Sequence, residues 1–227
     1  DRCRLDNQDP RRPLTIDYPA TDAGLQRWDW DLHGEDISCI DKHILFEGYG
    51  GPPVAPGRYT VRVSAGNASA TASVEVLPDP RSDASSQELA AWVAMQTRIA
   101  GMLEGVLGAL DGAREARGQV QGLLRAHDDA ALAAWGDAAI AAIDAWEQEI
   151  TELRHETFED EDAWVMQLDG QLRHLLDVVE DGGAPVTDGA RERLGDLEAQ
   201  WRGLRAELRR IETEYLAAII SWAGDHE

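Results

Sequence analysis

The sequence predicts an α+β chain in two parts, a small β-sandwich over residues 1–80 and an antiparallel, up-down helical bundle of three to four long helices over residues 81–227. Two observations carry that expectation. Up to Pro80 the chain holds all of its prolines but one, and its apolar residues recur at every second position. After Ser85 only Pro185 remains, alanine accumulates, and the apolar period lengthens to that of a helix.

The clearest strand signal is Arg58-Tyr59-Thr60-Val61-Arg62-Val63, which puts Tyr59, Val61 and Val63 on one side of a pleat. The turn Ala65-Gly66-Asn67 leads from it into Ala70–Val76, so the pair reads as a hairpin. Gly24–Leu32 alternates again, with Leu25, Trp28, Trp30 and Leu32 shared between two faces, and Leu14–Tyr18 makes a further short strand. A lone hairpin is not stable by itself, which is why these strands are expected to stack as a sandwich.

The first helix is expected over Ser86–Ala126, opened by the capping box Ser85-Ser86-Gln87-Glu88 and striped by Trp92, Ile99, Leu103, Val106 and Leu110. A second runs from Asp128 to His155, carrying Leu132, Trp135, Ile143 and Trp146; a third spans Val165 to Val179 and ends at Asp181-Gly182-Gly183-Ala184-Pro185. The fourth has the most regular repeat, from Ala190 through Leu194, Leu197, Trp201, Leu204 and Leu208 to Trp222. Short connections make successive helices antiparallel.

One stripe of the first helix needs a cause. Gly101, Gly105, Gly108 and Gly112 are spaced four, three and four apart, and each costs up to about 1 kcal/mol against Ala in a helix interior. Three readings are open: close packing inside the bundle, against the alanine face of the second helix at Ala130, Ala134 and Ala138; contact with another subunit or domain; or a bent helix.

Charge narrows the function. The formal charge is −22, and Lys42 is the single lysine among 21 basic residues. Such a surface repels phosphate backbones, so no nucleic-acid partner is expected, and it suits a protein kept soluble at high salt. No apolar run is long enough to span a membrane, and the first residues lack a signal-peptide core, so the chain is expected to be soluble and processed or truncated. The two cysteines, Cys3 and Cys39, are candidates for one disulfide, which would close a loop of about 35 residues and stabilise by about 3 to 4 kcal/mol. That bond would place the chain in an oxidising compartment.

Motifs for chemistry are scarce. No phosphate loop and no Gly-x-Ser-x-Gly elbow occurs. Glu152 and His155 have the spacing of a di-iron bundle, but Gln171 stands where a second glutamate would precede His174, so no metal centre and no cofactor are expected. Asp29, Asp31 and Asp36 imitate a calcium loop, yet Ile40 occupies the position of the bidentate glutamate. Asn67-Ala68-Ser69 is a glycosylation acceptor on the hairpin turn. Trp28 and Trp30 are candidate carbohydrate or interaction residues, because alternation can put both on one face of a strand.

Certain phrases resemble the C-terminal region of the large secreted BNR-repeat proteins, the sortilin-like β-propellers often labelled glycosyl hydrolase. They are Gly24, Arg27 and Trp30-Asp31-Leu32; then Gly51-Pro52, Ala55, Pro56-Gly57 and Tyr59-Thr60-Val61-Arg62-Val63; then Val76 and Asp79-Pro80-Arg81, with Pro185-Val186-Thr187 before the last helix. The resemblance implies an immunoglobulin- or fibronectin-like sandwich and a helical tail behind a propeller. Gln26 departs from the asparagine usual there, and no Ser-x-Asp-x-Gly-x-x-Trp propeller box occurs.

The expectation is therefore a non-catalytic extracellular or periplasmic module that docks an upstream β-propeller or partner subunits, itself included. Gly101, Gly105, Gly108 and Gly112, with the acidic rim, would carry that contact. By itself the chain is not expected to be an enzyme. Two alternatives stand beside this: a fragment of an exo-acting glycoside hydrolase, and a carbohydrate-binding module using Trp28 or Trp30.

Overall fold

The computed structural model describes residues 5–6, 9–13, 24–40 and 50–226, with 5–6, 9–13, 158, 161 and 226 described by backbone alone. The chain is mainly helical, and among the described residues no β-sandwich forms. Among the described residues the β structure is two separate antiparallel ribbons. Strands β1 (Leu5–Asp6) and β2 (Asp9–Pro13) make one, and β3 (Gly57–Ala65) and β4 (Ala68–Val76) make the other.

Two further strands are expected from the sequence. Leu14–Tyr18 lies outside the described residues. Gly24–Leu32 is irregular instead of extended. Its aspartates turn the chain locally: Arg27 donates to Asp29 at 3.0 and 2.9 Å, Asp31 Oδ1 accepts the His33 N–H at 2.9 Å, and Leu32 takes a left-handed φ of 66°. In the Trp-Asp-Trp-Asp stretch Asp29 is thus held by a neighbouring side chain and Asp31 by a neighbouring backbone N–H, and the segment meets another extended stretch only at its end, where His33 bridges Pro53.

Helix α1 (Ser86–Ala126) begins where the capping box places it: Ser85 Oγ accepts the Glu88 N–H while the Glu88 carboxylate accepts the Ser85 N–H at 2.8 Å. Asp129 caps α2 (Ala130–Gln148) by accepting the Leu132 N–H at 2.8 Å. That helix stops well short of His155, because Ile150 turns fully into the core and its carbonyl accepts the Asp169 N–H at the start of α3 (Leu168–Gly182). Tertiary capture outweighs helix propensity there.

Thr187 caps α4 (Asp188–Ile211), which passes through a π-helical turn at Glu212–Leu216 into α5 (Ala217–His226). The Thr213 hydroxyl donates to the carbonyls of Arg209 and Arg210, a local rival to the regular ladder.

Three rods result. The C-terminal half of α1 packs antiparallel on α2, where Arg114 and Arg117 meet Glu147, and its N-terminal half packs on α3, where the Trp92 indole donates to the Val179 carbonyl at 2.6 Å. So α2 and α3 follow one another down the side of α1. The α4–α5 rod then returns alongside, level with α1 at Arg98 and Glu198, and packs on α3 and α2, with the Trp146 indole donating to the Leu204 carbonyl at 2.8 Å. Ile99, Val106, Leu110, Leu172, Leu176 and Leu197 are fully or almost fully buried between the rods, each contributing about 1.5 to 3 kcal/mol. A second cluster of Val120, Leu132, Ala139, Ile219 and Trp222 closes the far end.

The segment 32–40 is fastened to this helical body. Ile37 and Ile40 enter its core, and Ser38 gives its N–H and hydroxyl to Glu104 on α1. Gly34 and Val54 exchange backbone bonds with Pro52 and Leu32, which holds the base of the β3–β4 ribbon beside the start of α1.

Candidate interaction surfaces

The β3–β4 hairpin pairs Tyr59 with Val74, Val61 with Ala72 and Val63 with Ala70. With a period of two, Tyr59, Val61, Val63, Ala70, Ala72 and Val74 share one face, and Arg58, Thr60, Arg62, Thr71, Ser73 and Glu75 share the other. The ribbon turns at Gly66, whose φ of 57° suits the first central position of a type II′ turn, so Asn67 is displayed at the exposed tip.

One face is therefore wholly apolar and the other wholly polar, yet both are solvent-exposed. Val63 is 65% exposed, and Val61 and Val74 are 37% exposed each. Only the base of the apolar face is covered: Trp30 meets the Tyr59 ring edge-on at 5.4 Å and donates its indole N–H to the His33 carbonyl at 2.8 Å, while the Tyr59 hydroxyl donates to Ala55 O at 2.6 Å. A ribbon of two strands patterned for one-sided burial and left bare is unusual in a finished fold.

The second surface is an open groove of about 540 Å³ between α1 and α4. Gly105 and Gly112 line it, and a Cβ placed on Gly101, Gly105, Gly108 or Gly112 would meet nothing within 4 Å. The stripe is not buried against the alanines of α2, and α1 is not broken there; the glycines form a bare crest. Sequence periodicity finds such a stripe, but it cannot say whether anything lies across from it.

Other predicted residues are dispersed. Trp28 is 56% exposed and Trp30 is inside the clamp just described, so the two do not form one platform. Asp29 is bonded to Arg27 and Asp31 to His33, and among the described residues no group of three or more His, Cys, Asp or Glu gathers as a metal site. Cys39 is disulfide-bonded; Cys3, the other cysteine of the chain, lies outside the described residues. The Glu152 carboxylate is taken by Arg154, whose guanidinium and N–H hold its pKa down at about 2, and His155 Nε2 lies 3.2 Å from the Trp164 carbonyl.

Two polar ties were not foreseen from sequence. Glu147 receives Arg114 at 2.6 and 2.8 Å and Arg117 at 2.7 Å, and His33 Nε2 contacts Glu180 Oε1 at 2.8 Å across 147 positions of sequence. The i, i+3 spacing of Arg114 and Arg117 was a visible signal, since both fall on one helix face. The His33 contact has no local signature.

No helix among the described residues is long and apolar enough to cross a membrane. Compared with known proteins, the chain matches no family model, no curated protein and no solved structure.

Proposed function

We propose that the chain is a non-catalytic extracellular interaction module that docks a β-rich partner through the apolar face of its β3–β4 hairpin. The bare row Tyr59, Val61, Val63, Ala70, Ala72 and Val74 is the observation that carries this reading. Covering it would bury the valine surface that is still open, most of it at Val63, with the ribbon already held at its base by Trp30 and Tyr59. The disulfide at Cys39 and the acceptor sequence at the exposed tip support an oxidising, secreted setting. An upstream β-propeller is the partner that the sequence phrases suggest, and that part rests on those phrases alone.

A photo-crosslinking residue at position 63, in the protein made by its native host, tests the reading. Adducts with another polypeptide from position 63 and none from position 62, on the polar face, support it. Equal yields from both positions, or none, contradict it. Hydrolysis of aryl glycosides by this chain, abolished by one carboxylate substitution, would instead make it a hydrolase. The exposure of Trp28 keeps a carbohydrate-binding reading in view, for which Trp28→Ala would abolish polysaccharide binding with the fold intact.

A further inference from the structure

The groove between α1 and α4 shares no residue with the hairpin and supports a separate inference. Its floor is apolar, formed by Ile143, Trp201, Leu208 and Leu216. Its α1 wall is small: Gly105, Ala109, Gly112 and Ala116. At about 1.5 Å per residue that wall is about 16 Å long, the length of three helical turns. Below it, the Arg98–Glu198 ion pair at 2.5 Å ties the two helices together.

The α4 wall supplies the sign of the occupant. Arg205 and Arg209 line the groove, and among the described residues neither stands in an ion pair, whereas Arg98, Arg114, Arg117 and Arg210 do; the Arg205 guanidinium lies over the Trp201 ring, 5.9 Å from its centroid, and keeps its charge there. Glu212 is the one carboxylate in the same lining. A cationic wall in a chain of charge −22 runs against the rest of the surface. The local field therefore favours an anionic visitor, where most of the molecule repels one.

We propose that this groove seats an acidic amphipathic helix of about three turns from a partner protein. Its large apolar side chains lie against the small α1 wall and Leu208, as knobs facing shallow holes, and its carboxylates face Arg205 and Arg209 along the other wall. The long contact with Gly105 and Gly112 lets the two backbones approach closely, which a larger residue at either position would prevent.

The test uses the full chain and a labelled synthetic helix with leucine at its core positions and glutamate on both flanks, read by fluorescence anisotropy. A second peptide carries lysine in place of glutamate. The acidic peptide alone is expected to bind, with affinity falling about tenfold or more in Arg205→Glu/Arg209→Glu. Gly105→Leu/Gly112→Leu, whose side chains extend into open space, keeps its helicity and also loses binding. Failure of the acidic peptide to bind, equal binding of the lysine peptide, or binding unchanged in both variants overturns the proposal. So does a dimer in sedimentation that Gly112→Leu dissociates, since the occupant would then be a second copy.

Discussion

His33 Nε2 lies 2.8 Å from Glu180 Oε1, tying the segment that carries the hairpin base to the last turns of α3. Partial burial pulls the imidazole pKa down, but the Glu180 hydrogen bond and charge, with Asp31 behind them, outweigh it and leave the value above the ordinary 6.5. A raised folded pKa stabilises most when the histidine is protonated in both states. The contribution is therefore full below pH 6.5 and is lost as pH rises through the raised value. Urea unfolding of the wild type at several pH values from about 5.5 to 8 is expected to show that decline, and His33→Gln is expected to remove it.

The crest of α1 gives the opposite kind of prediction, a gain. A Cβ on Gly101, Gly105, Gly108 or Gly112 meets nothing within 4 Å, so Ala at each position is expected to stabilise the isolated chain by up to about 1 kcal/mol. Gly51 is the contrast. Its Cβ would stand 2.0 Å from the Glu35 carbonyl oxygen, a backbone atom, and Gly51→Ala is expected to cost about 1 to 3 kcal/mol. Thermal melts of the five single variants separate the two groups.

Glu147 is the one carboxylate shared by Arg114 and Arg117, and its side chain is 9% exposed. Glu147→Ala leaves two partly buried guanidinium groups facing each other, with Asp144 still beside Arg117, and is expected to cost about 2 to 3 kcal/mol in urea unfolding. Asp144→Asn removes a more exposed partner of Arg117 and is expected to cost less than about 1 kcal/mol. Equal losses would mean that burial does not set the strength of this cluster.

How far the sequence showed this fold depends on whether a signal was local. The start of α1 was legible because Ser85 and Glu88 cap each other within one turn, and its end because Asp128-Asp129 follows with the next cap. The hairpin was legible because alternation and Gly66 act within 20 residues. The end of α2 was not, since Ile150 is held by Asp169 from another helix. Gly24–Leu32 misled because alternation there reflects aspartates bonding nearby groups. The sandwich failed for a related reason: the pattern specified one apolar ribbon face, and no pattern states what lies opposite it. The candidate surfaces were legible as stripes, at Gly101–Gly112 and at Tyr59–Val63, but their openness belongs to the assembled rods.

Carbene labelling reads whether the hairpin's apolar face is covered in the protein's working state. Heavy labelling of Val61, Val63 and Val74 is expected in the isolated chain and strong protection of the same three residues in the assembly isolated from its native host, with Arg62 and Thr71 on the polar face unchanged. Equal labelling of the three valines in both samples would contradict it.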